Sequence, residues 1–189
     1  MVEKRSRGMS VKFIVEAGIM VALATILSYV KLYHMPQGGS VTAGSMVPIV
    51  LVGLRYGVKK GVLVGMLYGV LQSILEPYVV HPVQYILDYP LAFGLLGLSG
   101  VGYKSYSKVS EKGLAQYGAI VAGVALGILG RFASHVTAGA IFFKEYAGDR
   151  NAWIYSSIYN GTFLSLELVI TVVAILLLWK PLERIGAEK

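Results

Sequence analysis

Residues 81–93 read HPVQYILDYPLAF. The stretch is apolar enough to sit in lipid, yet a carboxylate, Asp88, stands between Leu87 and Tyr89. In a membrane helix such a group costs about 2.5–3.5 kcal/mol on insertion scales, so it marks a cavity, a pathway or a buried pair. Whether the stretch is a membrane helix is decided by what lies on either side of it.

The chain has 189 residues, 56% hydrophobic and only 14% charged, with a mean hydropathy of +0.66. A soluble domain carries roughly 25% charged residues. Lipid must therefore surround most of the surface, and at this length one compact membrane domain is expected. There is no cysteine, which excludes a disulfide framework and thiolate metal sites. The net charge of +7 raises nucleic acid as a partner. The basic residues are instead confined to short segments between apolar runs, as membrane topology demands. No cleavable leader is expected, since the first apolar run outlasts a signal peptide and lacks a small-residue cleavage site.

Working outward from residues 81–93, six apolar runs can be drawn: about Phe13–Tyr33, Val41–Leu54, Gly61–Leu75, Val83–Val101, Leu114–Phe143 and Trp153–Trp179. The second is short and holds Pro48. The expected fold is an all-α integral membrane protein, a compact bundle of six transmembrane helices. A basic segment (1–12) precedes the membrane domain (13–180) and a tail (181–189) follows it. With the N-terminus in the cytoplasm, the inside segments hold Lys4, Arg5, Arg7, Lys12, Arg55, Lys59, Lys60, Lys104, Lys108, Lys112, Lys180, Arg184 and Lys189. The outside loops hold only Lys144 and Arg150. That bias predicts both termini cytoplasmic and a multi-pass protein of the cell membrane.

Glycine recurs at positions 57, 61, 65 and 69, and again at 123 and 127. In lipid such small-residue rows let helix backbones approach closely, so they read first as internal packing. Gly18 and Ala22, four apart in EAGIMVALA, read the same way or as a docking face for a partner helix.

The charges inside the runs are Glu16, Asp88, Arg131 and Glu167, with His135 beside them. Glu16 lies near the end of its run and reads as interfacial; Glu167 is deeper and receives no specific role. On the expected topology Asp88 lies roughly 9 Å, His135 roughly 12 Å and Asn160 roughly 10 Å below the outer surface. Gln84 and Asp88 share a helix face, as do Arg131, His135 and Gly139. Tyr89, Phe143, Tyr155, Tyr159 and Trp153 reach the same level, and the loop HMPQGGS (34–40) suits a mobile cover. Two readings stand: a buried Asp88–Arg131 ion pair, or a pocket for a small cationic ligand. In the second the acid supplies charge, and the rings supply cation–π attraction of about 0.5–2 kcal/mol each.

At MPQGGS (35–40), VQYILDYPLAF (83–93), SHVTAGAIFF (134–143) and YSSIYNG (155–161) the sequence resembles the thiamin-specific substrate-binding (S) components of energy-coupling-factor vitamin transporters. The resemblance covers essentially the whole chain. It implies a six-helix protein that binds thiamin from outside and needs no cofactor. The vitamin is released inward only on a transmembrane coupling subunit with two cytosolic ATPases. It implies that Asp88 holds the family's acidic position, which is Glu in some members, and that Tyr89 follows it. Gln84 stands in the same motif, one helical turn before Asp88. His135, Gly139, Tyr155 and Asn160 match pocket-lining positions, and Arg131 matches a basic position near the floor. Some members carry a stacking Trp where this chain has Phe143, and another in the first loop near Gly39. Gly18 and Ala22 fall on the small-residue pair that docks the coupling subunit.

Other functions compete. A membrane enzyme would use Asp88 and His135 as acid and base, but the chain has no HExxH, G-x-S-x-G or metal-ligand cluster. A self-sufficient ion-coupled carrier would show paired halves and broken helices at mid-membrane. An S component for another small vitamin or a thiamin precursor is the nearest alternative. The absence of a G-x-x-x-x-G-K-[ST] loop excludes ATP hydrolysis by that route.

Overall fold

The computed structural model describes residues 9–102 and 113–187. The basic residues expected on one side at Lys4, Arg5, Arg7, Lys104, Lys108, Lys112 and Lys189 lie outside the described residues.

Among the described residues six helices make up the fold: α1 (Val11–Tyr29), α2 (Val47–Tyr56), α3 (Val58–Leu75), α4 (Pro82–Gly102), α5 (Leu114–Phe142) and α6 (Ala152–Ala187). All but α2 are long and apolar enough to cross a membrane, which makes the chain a multi-pass membrane protein. A two-stranded antiparallel hairpin, β1 (Lys31–His34) and β2 (Ser40–Thr42), joins α1 to α2.

The hairpin corrects the expected helix ends. The first apolar run stops being helical at Tyr29, and Lys31 pairs with Thr42, Tyr33 with Val41 and His34 with Ser40. Gly38 and Gly39 turn the chain at φ of 88° and 84°, which other residues rarely adopt. A side chain on Gly39 would also meet the Phe163 ring at 2.9 Å. Lys31 consequently belongs to the end of the bundle that carries Lys144 and Arg150. That adds a third basic residue to the side expected outside.

Helix α2 is short because it is the core. Every residue from Val47 to Leu54 is buried, and the helix packs on α1, α3 and α4. Pro48 falls in its first turn, where a missing N–H leaves no bond unmade. Around α2 the glycine rows act as spacers. A Cβ on Gly69 would meet the Tyr89 carbonyl carbon at 2.7 Å, and one on Gly65 the Gly94 Cα at 3.0 Å. On α5, Gly123 and Gly127 sit as tightly against Ser99 and Leu96 of α4. Gly57 departs from the row, as open space surrounds it and its φ of 84° marks the turn between α2 and α3.

Glu16, expected at the interface, also anchors α1. It accepts a hydrogen bond from the Tyr56 hydroxyl and lies 3.5 Å from Arg55 Nε and 3.7 Å from Lys12 Nζ, tying α1 to the end of α2. The rest of α1 is loosely held: only Phe13, Ala24 and Ser28 are buried.

Candidate functional site

A cavity of about 460 Å³ opens between the hairpin, the α3–α4 loop and the facing sides of α4, α5 and α6. Asp88, Gln84, Tyr89, Arg131, His135, Gly139, Phe143, Tyr155 and Asn160 all line it, so the structure brings the expected site residues together. Trp153 is the exception among the expected rings, being 52% exposed and away from the cavity.

Helix α4 is irregular where Asp88 stands. Leu87–Leu91 form a π turn, which accommodates Pro90 inside the helix. Such turns recur at functional sites because they re-aim side chains. The Ser134 hydroxyl of α5 donates to the Leu87 carbonyl at 2.6 Å and stitches the turn to its neighbour. Backbone groups disturbed in a membrane helix need such partners.

The hydrogen-bond network fixes the charge state around Asp88. Arg131 Nε donates to His135 Nε2 at 3.1 Å, so that ring nitrogen presents its lone pair. The imidazole proton is then on Nδ1, which donates to Asp88 Oδ1 at 2.8 Å. Gln84 Nε2 donates to Asp88 Oδ2 at 2.7 Å. Both donors to the carboxylate are neutral, and the guanidinium is held one imidazole away. The expected alternative of a direct Asp88–Arg131 pair does not form. Arg131 lies instead with its guanidinium carbon 4.1 Å from the centre of the Phe93 ring.

The remaining side chains divide between walls and struts. Gln84 is fully buried and uses its amide on Asp88, the Tyr78 carbonyl and the Val80 N–H, so it orients the acid. Tyr89 accepts from the Tyr78 N–H and donates to the Glu76 carbonyl, both at 2.8 Å, fixing the α3–α4 loop. Gly139 lets α5 approach α6: a Cβ there would meet Ser156 Cβ at 3.2 Å. Asn160 spends its amide nitrogen on Ser156, leaving its carbonyl oxygen for the cavity. Phe143 stacks on Tyr78 at 5.5 Å, and Tyr155 on Tyr159 at 6.1 Å. The Tyr78 hydroxyl, at the rim, is pushed up to about 12 chiefly by its hydrogen bond with the Tyr146 hydroxyl, so it stays neutral.

Tyr159, expected as a ring at this level, does more than line the pocket, and two further site residues, Phe163 and Glu167, were given no place in it by the sequence reading. The Tyr159 hydroxyl accepts from Gln37 N–H and donates to the Gly38 carbonyl, both at 2.9 Å, and so clasps the hairpin tip. Phe163 lies against His135 and Gly39. Glu167, 2% exposed, accepts from the Thr42 N–H at 2.5 Å and the Thr42 hydroxyl at 2.8 Å. The signal for them was the spacing 160, 163, 167, which puts Asn160, Phe163 and Glu167 on one face of α6.

A polytopic helical membrane protein with a ligand-sized cavity under a pinned hairpin has the form of a small-molecule binding or transport subunit. A family model described as thiamine transporter protein matches residues 14–186, and the chain belongs to that family. It is 39% identical over 178 residues to the thiamine transporter ThiT of Bacillus subtilis (strain 168), covering 91% of this chain and 92% of that one. It is 35% identical over 179 residues to ThiT of Lacticaseibacillus paracasei, covering 89% and 88%. A solved structure of ThiT from Listeria monocytogenes superposes with a TM-score of 0.75 at 25% identity, covering 90% of this chain and 94% of that one.

Proposed function

We propose that the protein is a thiamin-binding membrane subunit, not an enzyme, that captures the vitamin from outside the cell. The observation that carries this reading is the Asp88 carboxylate, which faces a ligand-sized cavity with only neutral hydrogen-bond donors upon it. Two carboxylates, Asp88 and Glu167, and one guanidinium, Arg131, line the cavity. Asp88, with neutral donors upon it, offers its negative charge to a monocation. Glu76 also borders the cavity, but is neutralised by Lys31 at 2.7 Å. Thiamin carries one fixed positive charge on an aromatic heterocycle, and Tyr155, Phe143 and Tyr159 offer the ring faces.

In this reading Asp88 supplies the counter-charge and His135 and Gln84 hold it in place. Asn160 offers its carbonyl oxygen to an amine on the pyrimidine, and Phe143 and Tyr155 stack. The cytoplasmic orientation of both termini rests on the basic residues at the α2–α3 end and opens the cavity outward. Inward delivery then falls to a coupling subunit with two ATPases, docked through the α1 face around Gly18 and Ala22. Both residues are exposed, and nothing lies within 4 Å of a Cβ placed on Gly18.

Titration calorimetry on the detergent-solubilised protein tests the assignment. Stoichiometric binding of thiamin with no chemical change in the vitamin is expected. The absence of any heat at micromolar thiamin would overturn it.

A further inference from the structure

Glu167 is a carboxylate deep in a membrane helix, and only half of it is used. Its Oε1 takes both donors of Thr42. Its Oε2 is buried and accepts nothing. A buried acceptor without a donor is unfavourable, more so when charged, and native proteins rarely leave one without a purpose. Glu167 lines the same cavity as Asp88, so a molecule bound there is the available source of the missing donor. It stands seven residues beyond Asn160 on α6, roughly 10 Å further along the helix.

A second observation concerns Arg131, which lines the cavity with it. The guanidinium gives Nε to His135 and its face to Phe93, and its two terminal nitrogens make no hydrogen bond to the described residues. Arg131 and Glu167 attract one another across the cavity, yet form no direct ion pair. Two donor nitrogens of Arg131 and one acceptor oxygen of Glu167 are therefore left without partners among the described residues bordering the cavity. An alcohol satisfies both, accepting from the guanidinium and donating to the carboxylate. An amine satisfies only the acid. A phosphate ester satisfies only the guanidinium and brings a second anion beside the acid.

We propose that Glu167 is a ligand-contacting residue that selects a free alcohol on the bound molecule with Oε2, while Oε1 holds the hairpin over that molecule. The assignment rests on the proposed function, under which the alcohol is the hydroxyethyl arm of thiamin. One carboxylate thereby links recognition of that arm to the closed position of the hairpin through Thr42.

The test compares thiamin with its deoxy analogue, in which hydrogen replaces the hydroxyl, on wild-type protein and on Glu167→Gln. Glutamine keeps a carbonyl oxygen for Thr42 and turns the free acceptor into a donor. The wild type should prefer thiamin by about tenfold or more. Glu167→Gln should bind thiamin about tenfold more weakly and discriminate less than twofold. Thr42→Val, which removes one of the two bonds to Oε1 together with the hydroxyl's bonds to Ser45 but leaves Oε2 in place, should keep the wild-type preference. If Glu167→Gln does not assemble, Glu167→Asp withdraws the free oxygen by one methylene and should show the same loss of discrimination. Wild-type discrimination persisting in the Glu167 variant would overturn this assignment alone. No thiamin binding by the wild type would overturn the proposed function and this assignment with it.

Discussion

His135 keeps Asp88 and Arg131 one imidazole ring apart, and that spacing decides what the carboxylate can attract. A guanidinium in direct bidentate contact would use the acid's charge and its lone pairs. A neutral imidazole uses one lone pair and no charge. On this argument Asp88→Asn, nearly isosteric, should weaken thiamin binding by roughly 10- to 100-fold, since a hydrogen bond to a charged group contributes about 1.5–3 kcal/mol. His135→Ala should weaken it comparably, because the guanidinium is then free to turn toward the acid. The double variant should fall well short of the sum, as expected for groups acting as one unit. Calorimetric affinities of the four proteins check this, and strict additivity would mean that the two residues act separately. At this scale much of the site was legible. The spacings 84/88 and 131/135/139 put the polar groups on single helix faces. Glu167 was not, because its partner Thr42 lies 125 residues earlier in the chain, in a hairpin that apolar composition disguises as helix ends.

Glycine and the hairpin dominate the element scale. Gly69 brings α3 onto the π turn of α4 at Tyr89, next to Asp88. Gly69→Ala must push those backbones apart. A loss of about 1–3 kcal/mol, typical of overpacking, is expected together with weaker thiamin binding, because the turn that aims Asp88 moves. Gly18→Ala, with open space around it, should melt with the wild type. Thermal unfolding in detergent separates the two. The hairpin buries Met35 and Val41 in the core and is further tied to α6 by hydrogen bonds to its side chains. Removing the Tyr159 hydroxyl with Tyr159→Phe deletes both bonds to its tip. Each bond contributes about 0.5–1.5 kcal/mol, so thiamin should leave on the order of tenfold faster in stopped-flow fluorescence. An unchanged release rate would mean that the tip does not limit exit. The helices were readable from hydropathy because lipid demands long apolar runs. The strands were not, since β1 is four residues and β2 three, too short for any alternation to show.

Across the whole molecule, burial is uneven, and the unevenness bears on how the cavity is emptied. Helix α2 is buried throughout, whereas α1 exposes Ile14, Val15, Ile19, Leu23 and Ile26 alongside Gly18 and Ala22. Lipid satisfies such a surface, but it also satisfies a small-residue groove poorly, since acyl chains pack against it less closely than a helix does. The sequence carries no G-x-x-x-x-G-K-[ST] loop, and on the proposed function net uptake against a gradient draws its energy from another chain. On the proposed function that chain docks on α1, far from the Asp88 network. Gly18→Leu and Ala22→Leu should therefore leave thiamin affinity within about twofold of wild type, because neither residue lines the cavity. The same variants, reconstituted in vesicles with a coupling subunit and its ATPases, should lose ATP-driven thiamin uptake by tenfold or more. Wild-type protein alone in vesicles should show binding without accumulation. Undiminished uptake by both leucine variants would move the docking face elsewhere, and accumulation by the wild type alone would make the protein a self-sufficient carrier.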